Sequence, residues 1–203
     1  MGGMYKRKDS YYLQAKKEGY RSRAAYKIAE IGRKEPLARP GDCVIDAGAA
    51  PGGWSQVLLP LVGKNGKVAA VDILPMKPLP GDNFRFFQED LSLPSLPGRI
   101  LEFFGRKADL VVSDAAPNTT GIPFTDQARS AELVRTVLSL AQRTLADGGT
   151  FLAKIFEGAE ADAVFRELQG EFEKVRRIRP AATRKESFEL YLLAKGFHAG
   201  KKA

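Results

Sequence analysis

The chain has 203 residues, one cysteine, one histidine and a formal net charge of +8. That length suits a single α/β domain whose core needs no disulfide or metal. Cys43 alone excludes an internal disulfide or cysteine-based zinc site, and His198, in a polar tail, leaves neither a histidine metal site nor a Ser-His-Asp triad in view. No apolar run nears the ~18 residues of a membrane span, and MGGMYKRKDS lacks a signal peptide's apolar core, so a soluble cytoplasmic protein is expected.

Residues 1–40 hold 11 Lys/Arg against 4 Asp/Glu, residues 174–203 hold 9 against 2, and the stretch between holds 12 against 18. Basic ends around an acidic middle suit solubility, or a polyanion footprint if the ends meet in space. Tyr5, Tyr11, Tyr12, Tyr20 and Tyr26 stand among the N-terminal cations, where they can stack on bases, so RNA or DNA is the favoured polyanion. Residues 1–40 are expected to be a basic helical extension for that partner, and residues 198–203 a disordered tail.

DSYYLQAKKEGYRSRAAYKIAEIGRKE reads as two helices broken at Gly19, with Ser22 as N-cap of the second and Lys27 off its apolar stripe of Ala25, Ile28 and Ala29. After the turn RPGD, CVIDAG is a strand that ends at Asp46 in a loop holding Gly48, Gly52 and Gly53. WSQVLLPLVG is a short helix closed at Gly63. GKVAAVDI is a second strand ending at Asp72, and FRFFQED a third ending near Asp90. Residues 95–106 read as a helix, and ADLVVSDAAPN as a fourth strand running into Asp114. Thr125 is the expected cap of a long helix ended by Gly148 and Gly149. TFLAKIF is a fifth strand carrying Lys154, residues 159–169 a helix, FEKVRRIRP a strand exposed on one side, and SFELYLLAKGF the last strand. The link PAATRKE is too short for a helical crossover, so the last two strands pair antiparallel. The alternation predicts an α/β fold with a mainly parallel sheet.

Ligands of such sheets bind beyond the carboxyl ends of the strands. Four aspartates, Asp46, Asp72, Asp90 and Asp114, close four successive strands beside a glycine loop that lets backbone approach a ligand. The loop is neither G-x-G-x-x-G nor a Walker G-K-[ST], and carboxylates suit a pyrophosphate poorly. They suit a ribose diol, an amine and positive charge, which S-adenosylmethionine combines. A single such aspartate is ordinarily a turn residue; four in series with the loop carry the signal. Lys154, set between Leu152, Ala153, Ile155 and Phe156, needs a functional reason to be there. Lys27 on a helix and Glu189 in a strand read, on their own, as ordinary surface charges, and Trp54 as core or cofactor contact.

GYRSRAAYKIAEI, DAGAAPGGWSQ, VDILPM, VVSDAAPNTTG, FLAKIFEG and ESFELYLLAKG resemble, in order and spacing, the FtsJ/RrmJ family of RNA ribose 2′-O-methyltransferases, from about Tyr5 to Phe197. The resemblance implies a Rossmann-like methyltransferase fold with helices on both faces of a seven-stranded, mostly parallel sheet whose last strand is antiparallel. It implies S-adenosylmethionine as methyl donor, with no metal, and a catalytic tetrad of Lys27, Asp114, Lys154 and Glu189. The cofactor site it implies comprises Gly52, Trp54, Asp72, Asp90 and Asp114. Two departures stand out: DAG where members often read DLG, and Phe188 where bacterial rRNA members more often have Arg.

The implied reaction is displacement at the sulfonium methyl by a ribose 2′-oxygen, a weak acid that needs a base or a steering charge. Lys154 fits either role; burial and Lys27 favour the neutral amine, Asp114 the ammonium. Arg21, Arg23, Arg184 and Lys185 are candidates to grip RNA phosphates. Within the family, the compact chain favours the bacterial type, which methylates a uridine in the A-loop of large-subunit (23S) ribosomal RNA in the assembled subunit, over the tRNA anticodon-loop type. Other readings are a non-catalytic ribosome assembly factor and a small-molecule O-methyltransferase. A monomer without an obligate protein partner is expected.

Overall fold

Apolar side chains that alternate along the strands sort to two faces of one sheet, and helices cover both. The computed structural model describes residues 10–183 and 187–199. Tyr5, the cations Lys6, Arg7 and Lys8, the candidates Arg184 and Lys185, and the tail from residue 200 lie outside the described residues. The elements in chain order are α1 (Ser10–Lys17), α2 (Ala24–Lys34), β1 (Cys43–Ala47), α3 (Gly53–Val62), β2 (Lys67–Asp72), β3 (Phe84–Gln88), α4 (Leu96–Phe104), β4 (Ala108–Ser113), α5 (Pro123–Thr144), β5 (Leu145–Phe156), α6 (Ala159–Glu171), β6 (Phe172–Ile178) and β7 (Glu189–Phe197).

The sheet order is β3-β2-β1-β4-β5-β7-β6. β7 runs antiparallel to β5 and β6, and the other pairs are parallel. The expected seven strands and antiparallel last strand are present. Strand order reverses between β1 and β4, so the crevice at their carboxyl ends is the fold's natural ligand position. Val44, Val68, Leu110, Val112, Leu152 and Leu193 pack with Ile28 and Ile31 of α2 and with Leu58 and Val62 of α3. The alternate set, including Ile45, Val111, Phe151 and Leu192, packs against α4, α5 and α6. Cys43 is buried in that second layer.

Three helix boundaries differ from the sequence reading. Ser22 does not cap α2; Arg23 holds that position without a side-chain cap. The Ser22 hydroxyl is instead packed on Gly53, where an added Cβ would lie 2.2 Å from its oxygen. α5 opens at Pro123 rather than after Thr125, because proline suits the first helical turn. Asp126 ties the preceding loop to it, accepting from the Thr120 amide and hydroxyl and the Gly121 amide at 2.7, 2.8 and 3.1 Å. α5 ends at Thr144, short of Gly148, because Leu145 turns to extended backbone and starts β5.

Candidate active site

Strand alternation assembles the charged cluster. On β4, Leu110 and Val112 face α2 and α3, and Asp114 continues that series just past the strand. On β5, Leu152 leads to Lys154; on β7, Leu193, Tyr191 and Glu189 share the same face. The antiparallel register sets Lys154 opposite Tyr191 and Phe156 opposite Glu189. From α2, Lys27 reaches the same point and is buried together with Ala25, Ile28 and Ile31.

Lys27 Nζ lies 2.9 Å from Glu189 Oε2 and 3.7 Å from Asp114 Oδ1. Lys154 Nζ lies 3.2 Å from Asp114 Oδ1 and 3.8 Å from Glu189 Oε1. The lysine side chains are 7% exposed, whereas Asp114 and Glu189 retain 17% and 22%. Two ammoniums thus alternate with two carboxylates around a point that opens to solvent on the carboxylate side. Burial works to raise the Glu189 carboxyl, but Lys27 and Lys154 outweigh it and hold it below its ordinary value. Glu189 therefore stays ionised at neutral pH.

Tyr191 is a member of the cluster that the sequence reading passed over. Its hydroxyl donates to Asp114 Oδ1 at 2.5 Å. Burial first, and then the Asp114 charge, push the phenol well above its ordinary value, so it remains a donor. The signal was its place two residues after Glu189, on the same strand face. Trp54 stacks on the Tyr191 ring at 5.7 Å between centroids, and its indole N–H donates to the Ala24 carbonyl at 2.9 Å. It is buried between α2 and the tetrad, and is not among the residues lining the adjacent cavity.

That cavity has a volume of about 670 Å³, within the range of small-molecule sites. Gly48 and Ala50 after β1, Asp72 to Leu74 after β2, Asp90 to Ser92 after β3, and Asp114 after β4 form its walls, with Arg129, Glu132 and Leu133 of α5 opposite. Asp72 accepts from the Ala50 and Leu74 amides, both at 2.8 Å, so one carboxylate fixes two walls. Asp90 accepts from the Ser92 amide and hydroxyl at 2.8 and 2.7 Å, and the amide, then the hydroxyl, hold its carboxyl low. Asp114 belongs to both constellations: it lines the cavity and contacts both lysines. Asp46 lies outside the lining, buried and bonded by the Ser55 hydroxyl at 2.6 Å. Among the described residues no His/Cys/Asp/Glu group is spaced to hold a metal ion, and no helix is long and apolar enough to cross a membrane.

A profile of FtsJ-like methyltransferases matches residues 20–197. The chain belongs to that family. It is 45% identical to the ribosomal RNA large subunit methyltransferase E of Methanothermobacter thermautotrophicus, over 97% of this chain and 93% of the relative. It is 48% identical to the protein of that name from Chromohalobacter salexigens, over 94% and 90%. A crystal structure of a putative ribosomal RNA methyltransferase from Plasmodium falciparum superposes with a TM-score of 0.78 at 30% identity, covering 88% of this chain and 98% of that one. A fibrillarin/Nop5p complex, at a TM-score of 0.59 and 18% identity over 84% of this chain and 81% of that one, shares the fold.

In this FtsJ-like methyltransferase the glycines of the first loop divide their work. Gly48 lines the cavity; Gly52 does not, and sits under Arg21 and Met76. At Gly48 φ is +74°, and an added Cβ would stand 2.4 Å from Ala115 Cβ and 3.0 Å from Ala115 Cα. The close approach there is by the loop after β4, which a side chain would displace. Gly48→Ala is expected to destabilise the fold by about 2–4 kcal/mol, from left-handed backbone strain plus overpacking. Urea unfolding checks this, and a loss below about 1 kcal/mol would show that the two loops part without cost.

The two described candidates for RNA contact are engaged within the protein. Arg23 Nη2 donates to the Ala182 carbonyl at 3.1 Å, and Glu30 accepts from the Ala181 and Ala182 amides at 3.0 and 3.2 Å. α2 thereby holds the segment that leads to residue 184. The Arg21 guanidinium is turned to the carbonyls of Pro51, Lys77 and Pro78.

Proposed function

We propose that the chain transfers the methyl group of S-adenosylmethionine to a ribose 2′-hydroxyl of large-subunit ribosomal RNA, at a uridine of the A-loop in the assembled subunit. The observation that carries the reading is Asp114, which joins a cavity of cofactor size to a buried Lys-Asp-Lys-Glu tetrad. The lining fits the donor. Asp72 and Asp90 offer carboxylate oxygens to a ribose diol, while Ile73, Leu91 and Leu133 offer apolar cover to an adenine. Asp114 offers negative charge where a sulfonium and an α-amino group need it.

When bound, the donor supplies an electrophilic methyl group. The chain then has to hold a ribose oxygen in line with it and stabilise the charge that develops on that oxygen. Lys154 is placed to do so, with Asp114 and Glu189 fixing its ammonium and Lys27 fixing Glu189. Asp114 and Glu189, both within 4 Å of Lys154 Nζ, orient it for this electrostatic role. Tyr191 restrains Asp114 from β7, across the intervening β5.

RNA is supported by the basic ends and by the names of the relatives, which are ribosomal RNA methyltransferases. Ile122, Phe124 and Phe188, exposed by 59, 77 and 70%, stand at the carboxyl rim of the sheet, where an unstacked nucleotide finds aromatic surface. Arg184 and Lys185 precede Glu189 in the chain and are proposed to grip phosphate beside the tetrad; the protein is proposed to act as a monomer. The experiment is transfer of labelled methyl from S-adenosylmethionine to unmodified large ribosomal subunits and to unmodified bulk tRNA. Label is expected on the subunit. Label on tRNA alone would overturn the substrate, and donor binding without label on either would favour an assembly factor.

A further inference from the structure

Arg21 sits in a run of cations whose charge suits RNA, yet its guanidinium points into the protein. Nη1 donates to the Pro51 carbonyl at 3.3 Å and, more closely, to that of Lys77; Nη2 donates to the Pro78 carbonyl at 3.2 Å. Pro51 belongs to the loop after β1, Lys77 and Pro78 to the loop after β2. Those two loops also supply Gly48 and Ala50, and Asp72 to Leu74, to the cavity wall. One planar fork therefore spans both walls from outside, while Asp72 links them from inside through the Ala50 amide at 2.8 Å.

The fork is itself held. The Arg21 amide donates to Gln56 Oε1 at 3.0 Å, and Gln56 Nε2 donates to the Gly19 carbonyl at 2.8 Å, which fixes the bend between α1 and α2 onto α3. Gly52 leaves the room: with φ at +103°, its missing Cβ would lie 2.8 Å from both Arg21 Nη1 and Met76 Sδ. A phosphate contact would need none of these features. They make sense if the arginine is a brace.

We infer that Arg21 is a positioning residue for the methyl-donor site, coupling the basic N-terminal segment to the two loops that enclose the donor. The inference rests on the reading of the cavity as the S-adenosylmethionine site. It deepens that reading, because whatever orders the segment around Arg21 then also orders the donor's walls. Bound RNA is the ligand chemistry that the surrounding cations Lys16, Lys17 and Arg23 would attract.

Lysine separates a brace from a charge, since an ammonium keeps the positive charge but cannot span three carbonyls. Arg21→Lys and Arg21→Ala should both raise the Kd for S-adenosylmethionine about tenfold, the scale of one charge-assisted hydrogen bond. Both should also speed amide hydrogen exchange at Gly52 and Leu74, whose amides donate to the Ala49 carbonyl and to Asp72, in the donor-free protein. Exchange needs no ligand, so it tests the brace even if the wild type proves to bind no S-adenosylmethionine; that result would sink the donor assignment instead. If Arg21→Lys matches the wild type in exchange and donor binding, the brace is wrong. If only the affinity for ribosomal RNA falls, and its salt dependence drops by about one phosphate contact, Arg21 is an RNA contact and the inference fails.

Discussion

Lys154→Ala is expected to lower the rate of methyl transfer about a thousandfold while donor affinity changes little. The asymmetry follows from position. Lys154 contacts Asp114 and Glu189 but does not line the cavity proposed for the donor. Its loss removes one of two lysines paired with two carboxylates at the point where the proposed reaction needs positive charge beside the ribose oxygen. Lys27 cannot take over, because its ammonium is engaged with Glu189 at 2.9 Å. Lys154→Met keeps most of the buried volume and separates lost charge from a cavity's cost in stability. Lys154→Arg should fare little better, because a planar guanidinium does not fit a pocket shaped by Tyr191, Asp114 and Glu189 around a compact ammonium. Single-turnover transfer with saturating donor, alongside a donor-binding isotherm, makes the measurement. Turnover of Lys154→Met within about tenfold of the wild type would remove Lys154 from the chemistry.

Much of this site was legible because strand alternation and chain order act locally. Asp72, Asp114 and Lys154 each extend an apolar strand, and a charged group at such a point is both unusual and directional. Lys27 and Glu189 carried no such local signal; only the resemblance singled them out, and they meet Asp114 and Lys154 through tertiary packing. Tyr191 was readable in principle, since its parity with Glu189 put it on the tetrad face. Trp54 read from sequence as core or cofactor contact; its stacking on Tyr191, 137 residues distant in sequence, could not be read locally. The internal partners of Arg21 were not legible because a charge run suggests a solvated face, whereas those carbonyls lie 30 to 57 residues downstream. The helix boundary at Ser22 failed because its hydroxyl packs on Gly53, 31 residues downstream, and that at Thr125 because the backbone preference of Pro123, two residues earlier, took precedence.

Asp46→Asn is expected to become more stable relative to the wild type as pH rises, by roughly 2–3 kcal/mol between pH 5 and pH 8. Asp46 closes β1 and is fully enclosed. Burial raises its carboxyl from the ordinary 3.8 to about 7, against the hydrogen bonds from Ser55 that favour the anion and with help from the Asp114 and Asp72 charges. The unfolded chain thus gives up this proton near pH 4, while the folded chain keeps it until about pH 7. Across that window the folded state binds more protons, so its stability falls as pH rises. The contribution is fully present below about pH 4 and gone above pH 7, a total of about 4 kcal/mol at 1.4 kcal/mol per pH unit. Asparagine has no proton to lose, and its carbonyl can still accept from Ser55, so any fixed cost of the substitution cancels in the comparison between pH values. Urea unfolding of both proteins at the two pH values gives the difference directly. A constant gap would mean that Asp46 is already ionised in the fold at pH 5 and that the hydrogen bonds from Ser55 outweigh its burial.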